Sequence, residues 1–178
     1  MALATISDLK SLLSVTHTDD DTLFTRIVAS ASSYFEKQIG RTLSVSSVTE
    51  VQDGTGGRVI VPSQYPLVSV TSLKIDGETI SASTGYGVDG YYLDGDVIRL
   101  RGSFACVGEG NIELAYSAGY STIPSDVVQA VLELSAIMYR ERDRFGQQSR
   151  NDPTGSVVFY YQPPARVMQT IEAYRRTG

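Results

Sequence analysis

Ile112-Glu-Leu-Ala-Tyr-Ser-Ala-Gly-Tyr120, continued by Ser-Thr-Ile-Pro124-Ser-Asp-Val-Val-Gln-Ala-Val-Leu-Glu-Leu134, sets two hydrophobic periods side by side. Ile112, Leu114 and Tyr116 alternate with smaller or polar neighbours, the period of a strand buried on one face. Beyond Pro124 the apolar positions Val127, Val128, Val131, Leu132, Leu134, Ala136, Ile137 and Met138 make a broad helical surface. Ser125 is suited to cap this helix and Asp126 to favour its dipole. The spacing predicts a central core helix over 125–144, running out through Tyr139-Arg-Glu-Arg-Asp-Arg-Phe into Gly146.

The same two signals divide the rest of the chain. Upstream, Val59 and Val61, Val68 and Val70, Leu73 and Ile75, and Ile98 and Leu100 repeat the strand period. Asp53-Gly54, Asp76-Gly77 and Asp94-Gly95 punctuate them, and Asp-Gly readily supplies the positive φ of tight hairpins. No room is left for crossover helices, so the sheet is antiparallel. Before it, Thr5 or Ser7 caps a short helix carrying Ile6, Leu9, Leu12 and Leu13 on one face. A second helix over 20–39 is opened by the carboxylates of Asp19 to Asp21, carries Leu23, Phe24, Ile27, Val28, Ala31, Tyr34, Phe35 and Ile39, and ends at Gly40. After Gly146, a polar loop leads to the aromatic segment Val157-Val-Phe-Tyr-Tyr, then to Pro163-Pro164 and a last helix with Val167, Met168, Ile171 and Tyr174 on one face. The reading is α+β in one domain of 1–178. Residues 1–42 and 121–145 form a helical core, 43–120 an antiparallel β insertion, and 146–178 a C-terminal loop and helix.

Composition supports an ordinary globular chain: 178 residues, 42% hydrophobic and 20% charged, long enough to bury roughly 70% of the unfolded surface. One Cys and one His exclude a disulfide scaffold and a structural zinc site. The first residues lack the cationic and long apolar regions of a signal peptide, and no apolar run is long enough to span a bilayer, which predicts a soluble, unexported protein. A net charge of −5 argues against general coating of nucleic acid. Residues 1–124 carry a net −6 and 125–178 a net +1, so an anionic partner is expected at the C-terminal end.

No catalytic motif is present. His17 lies in a polar turn with no evident cleft to tune it. Cys106, between apolar neighbours, reads as buried filler. Asp19-Asp20-Asp21 lacks the ligand spacing of a calcium loop and reads as helix capping. Asp89, Asp94 and Asp96 punctuate a Tyr-rich β region. This permits an alternative reading as a carbohydrate-binding or -degrading module, if two carboxylates face each other beside exposed tyrosines. Arg140, Arg142, Arg144 and Arg150 form either a solvated helix end or a secondary docking surface. The last helix either caps its own core or lays its apolar face in a partner's groove.

Three blocks carry a family resemblance. They are Ile6-Ser-Asp-Leu-Lys-Ser-Leu-Leu through Asp19-Asp-Asp-Thr-Leu-Phe to Ile39-Gly-Arg; Val61-Pro-Ser-Gln-Tyr-Pro-Leu-Val-Ser-Val through Asp76-Gly; and Ile112-Glu-Leu-Ala-Tyr-Ser-Ala-Gly-Tyr followed by Ile123-Pro-Ser-Asp, with Ala173-Tyr-Arg-Arg closing the chain. In this order they resemble the head-tail connector (adaptor) proteins of long-tailed bacteriophages and prophages, the gp6-like family. The resemblance implies a structural virion protein of the head-tail neck, present in the host cytoplasm during assembly, with no enzyme activity and no cofactor. It also implies a homo-oligomeric ring, dodecameric in the virion, that encloses DNA without reading its sequence. Its partners would be the portal protein and a head-closure, stopper or tail-completion protein; the chain itself being such a neighbouring neck protein is a further alternative. The C-terminal helix would dock on the portal, and its apolar, aromatic and arginine residues are the usual hot-spot chemistry: Val167, Met168, Ile171, Tyr174, Arg175 and Arg176, with Tyr160 and Tyr161 nearby. The Gly85 to Gly110 stretch is longer and richer in Tyr and Gly than the compact members of that family.

Overall fold

The computed structural model describes residues 2–102, 105–142, 149–152, 155–158 and 163–175. The chain divides into two compact units, Met1–Arg41 with Ile123–Gly178, and Thr42–Thr122. The fold is α+β, with the helices and one two-stranded sheet in the first unit and two larger antiparallel sheets in the second.

Four helices make the first unit: α1 (Ile6–Leu13), α2 (Asp21–Ile39), α3 (Ser125–Arg140) and α4 (Ala165–Tyr174). Thr5 caps α1, its hydroxyl accepting the Asp8 N–H at 3.2 Å, and Ser14 ends it in a left-handed conformation. Gly40 ends α2 with φ 74°. The spacing of three and four turns Leu9, Phe24, Ile27, Val28, Ala31, Phe35 and Ile39 inward, where they meet Val127, Ala130, Val131 and Leu134 of α3. Each large apolar side chain so buried contributes about 1.5–3 kcal/mol. Leu12, expected on the buried face, stays 42% exposed near the end of this two-turn helix.

The helix starts differ from expectation. Asp20 is the N-cap of α2 but makes no side-chain cap bond. The carboxylates are drawn into tertiary links: Asp20 Oδ2 accepts the Tyr139 hydroxyl at 2.7 Å, and Asp21 Oδ1 pairs with Lys10 Nζ at 2.7 Å. Pro124, not Ser125, is the N-cap of α3, because its extended backbone sets the entry and Ser125 is already helical. That helix ends at Arg140, short of residue 144; past Tyr139 the sequence alternates charge and offers no apolar side chain before Phe145 to bind a further turn to the core. The polar segment read as loop contains a strand, β8 (Ser149–Asp152), which pairs in antiparallel register with β9 (Gly155–Val158).

Seven strands make the second unit: β1 (Ser46–Gly54), β2 (Val59–Ile60), β3 (Leu67–Ile75), β4 (Glu78–Thr79), β5 (Gly90–Asp94), β6 (Val97–Arg101) and β7 (Gly108–Ala118). They form a four-stranded sheet, β1-β7-β3-β4, and a three-stranded sheet, β2-β6-β5, whose apolar faces share one core. Leu73, Ile75, Ile98, Leu100, Ile112, Leu114 and Tyr116 all point into it, as the alternation predicts. The phase is reversed on β2, where Ile60 is buried and Val59 and Val61 face out. On β3, register shifts between Leu67 and Ser69 and between Val70 and Ser72 re-aim the side chains, leaving Val68 half exposed.

Asp76-Gly77 is the expected hairpin turn, with φ of 53° and 81°. Asp53-Gly54 is not a turn. β1 continues through it to pair with Gly108 after a bulge, and a Cβ on Gly54 would lie 1.7 Å from the Cys106 carbonyl oxygen. Glycine is required there by close approach of two backbones.

Candidate docking surfaces

Pro163-Pro164 fixes the entry to α4, and the Pro164 carbonyl accepts the Met168 N–H at 3.1 Å. Val167 and Ile171, four residues apart, face inward and are fully buried against the helical core; α4 packs on both α2 and α3. The helix is also tied at both ends. Arg166 approaches Glu133 at 3.6 Å, and the Tyr174 hydroxyl donates to Asp126 Oδ1 at 3.0 Å. Arg41, only 6% exposed, donates from Nε to the Tyr174 carbonyl at 3.0 Å, and its guanidinium lies 6.0 Å from that ring's centroid. A cation at a helix C-terminus satisfies an end carbonyl and favours the dipole.

The stripe expected to dock is therefore split. Val167 and Ile171, expected in the interface, lie in the unit's own core and not on its surface. Tyr174 is half-buried. Met168, 37% exposed, and Arg175 face outward, the latter paired with Glu172 at 2.9 Å. Tyr160, Tyr161 and Arg176 lie outside the described residues, as does Arg144. Arg140 is exposed at the end of α3. The exposed Arg142 stacks 4.0 Å from the Tyr139 ring centroid and donates to the Tyr139 carbonyl. Arg150 stands on β8, opposite Val157.

The β unit carries a second surface, which the sequence reading did not assemble. Arg58, Arg99 and Arg101 line one cleft of about 470 Å³ with Tyr86, Tyr92 and Asp89. The signal was present: Ile98 and Leu100 point into the core, so Arg99 and Arg101 must share the opposite face of β6. Arg101 sits 4.3 Å from the Tyr92 ring centroid and 5.8 Å from that of Tyr86, which is 99% exposed. Its Nη1 donates to the Gly85 carbonyl at 2.7 Å. Arg99 pairs with Asp94 at 2.5 Å.

These contacts bear on the carbohydrate alternative. Asp94 is held by Arg99, Asp96 accepts the Leu67 N–H at 3.1 Å, and Tyr86 and Tyr92 each offer a ring to the Arg101 guanidinium. His17 is exposed, 3.9 Å from Asp19. Cys106 is exposed and not buried filler, because Ala105 takes the inward position of the loop and Cys106 and Val107 turn out. Among the described residues there is no metal-holding group of His, Cys, Asp or Glu, and no helix is long and apolar enough to cross a membrane.

Burial of Tyr116 pushes its phenol above the ordinary 10.0, helped by nearby Glu50 and opposed by the Gln64 N–H that its oxygen accepts at 3.0 Å.

Comparison with known proteins follows the same architecture. The model of the family described as "Head completion protein" matches residues 2–177. A chain from the neck of an empty gene transfer agent (GTA) particle, computed with C6 symmetry, is similar at a TM-score of 0.64 and 20% identity, covering 99% of this chain and 91% of that one. A chain from the virion of a native gene transfer agent particle gives 0.63 and 19%, covering 99% and 91%. One from the neck of a native GTA particle, computed with C12 symmetry, gives 0.57 and 19%, covering 92% and 94%. At these identities the likeness is one of fold. No curated protein matches the sequence.

Proposed function

The chain belongs to the head completion protein family, and from that premise we propose that it is a structural component of a bacteriophage-type neck, joining the DNA-filled head to the tail. In this reading it forms a homo-oligomeric ring on the portal, continues the DNA channel, and meets a stopper or tail-completion protein on its other side. It works by shape and contact, without turnover and without a cofactor. The family match along 2–177 carries the reading. The fold it shares with chains from neck reconstructions of six-fold and twelve-fold symmetry supports a ring. A net charge of −5 suits a channel wall that repels phosphates and lets DNA pass.

Portal docking falls to the outer side of α4, with Met168 and Arg175, and to Tyr160, Tyr161 and Arg176. Val167, Ile171 and Tyr174 hold that helix in place from within. Arg140, Arg142, Arg144 and Arg150 make the secondary contact. The test is co-assembly: the full chain mixed with purified portal rings, followed by size-exclusion chromatography with light scattering. Binding that Met168→Ala with Arg175→Glu weakens supports the assignment. Unchanged binding by that variant sinks the docking residues, and particles that stay intact and infectious without the protein sink the neck role.

A further inference from the structure

We infer that the Arg58–Arg99–Arg101 cleft is a carboxylate-binding site for a second copy of this chain, its ligand being the acidic end of the neighbour's four-stranded sheet. The inference rests on the ring reading above.

The cations of the β unit are gathered. Residues 42–122 hold nine acidic and four basic side chains, and three of those four basic residues line this one cleft. The fourth, Lys74, is paired with Glu113 at 3.2 Å. Within the cleft Arg101 is pre-set: tyrosine rings flank its guanidinium, and Nη1 is committed to Gly85. Among the described residues, its Nε and Nη2 have no hydrogen-bond partner. Those two donors form the fork that grips a carboxylate in bidentate fashion.

The complementary surface is on the other sheet. The β3–β4 turn brings Asp76 and Glu78 to the sheet end where β1 finishes at Asp53-Gly54 and β7 begins at Gly108-Glu109. Asp53 accepts the Gly110 N–H at 2.6 Å and Asp76 the Asn111 side-chain amide at 3.1 Å, while Glu78 and Glu109 are exposed. A closed ring needs two different, mutually complementary patches on every subunit. A basic fork on one sheet and a carboxylate cluster on the other meet that requirement. A duplex is the poorer ligand, because Asp89 lines the cleft itself and the unit as a whole is acidic.

The test uses the whole chain in solution. Arginine side-chain and backbone NMR signals are followed as the protein is raised to millimolar concentration at low and high salt. Arg101 Nε–H and the Glu78 and Glu109 amides should move together with concentration, and the movement should vanish at high salt. Arg101→Glu alone and Glu78→Arg/Glu109→Arg alone should each abolish it. Mixing the two variants should restore it, because each then offers what the other's patch needs. An Arg101 signal that stays fixed at every concentration overturns the inference, as does one that moves only on adding duplex DNA. Portal co-assembly is a separate readout, so loss of this contact and loss of the neck role are told apart.

Discussion

The helical unit and the β unit spend their charged side chains in opposite ways. In the helical unit they act singly, as ties: Lys10 to Asp21, Asp20 to Tyr139, Arg41 to the end of α4. In the β unit three of the four cations share one cleft, and Asp53, Asp76, Glu78 and Glu109 meet at one sheet end. The difference follows from geometry. A helix spreads its polar positions around an arc that neighbouring helices cross, whereas a strand presents every second residue to one face, so a few cations on β6 and its neighbours become a patch.

That contrast is broken first by deleting core volume. Phe35→Ala should cost about 3–5 kcal/mol in denaturant unfolding, with loss of the far-ultraviolet helical signal. Ile171→Ala should cost about 2–5 kcal/mol, while Met168→Ala on the same helix should stay within about 0.5 kcal/mol; equal losses would contradict the inward placement of Ile171. Gly54→Ala should destabilise the β unit by about 1–3 kcal/mol or more through backbone collision, measured by hydrogen exchange on β1 and β7.

A smaller effect separates the units by pH. Because the folded Tyr116 phenol titrates above 10.0 and the unfolded one near it, the unfolded chain releases this proton first. Stability from the buried phenol is complete below about pH 10 and falls as the pH rises through the folded value. Tyr116→Phe should flatten that alkaline decline; an unchanged slope would exclude Tyr116 as its source. Least of all, Thr5→Ala should cost about 1 kcal/mol, visible as earlier fraying of α1.

The helices were legible because their information is local. Thr5, Gly40 and the Phe24-to-Ile39 spacing each act within one or two turns. The Asp76-Gly77 hairpin was readable for the same reason. What the sequence hid depends on a distant partner. The phase of β2 is set by β6, the Gly54 requirement by the Cys106 backbone, and the exposure of Cys106 by the inward turn of Ala105. The splitting of α4 was hidden likewise: periodicity marked Val167 and Ile171 as one face without saying that its own core would cover it.

The Tyr120 N–H donates to the Leu43 carbonyl at 2.7 Å, and Ser44 bridges Tyr120 beside it. These contacts clasp the two ends of the β insertion. Until that clasp forms, α2 and α3 are joined by a long flexible tether, and their meeting carries the loop-closure entropy of its full length. Once it forms, the connection is reduced to residues 40–43 and 120–124. Loosening the clasp should therefore slow the association of α2 and α3 more than it weakens their packing.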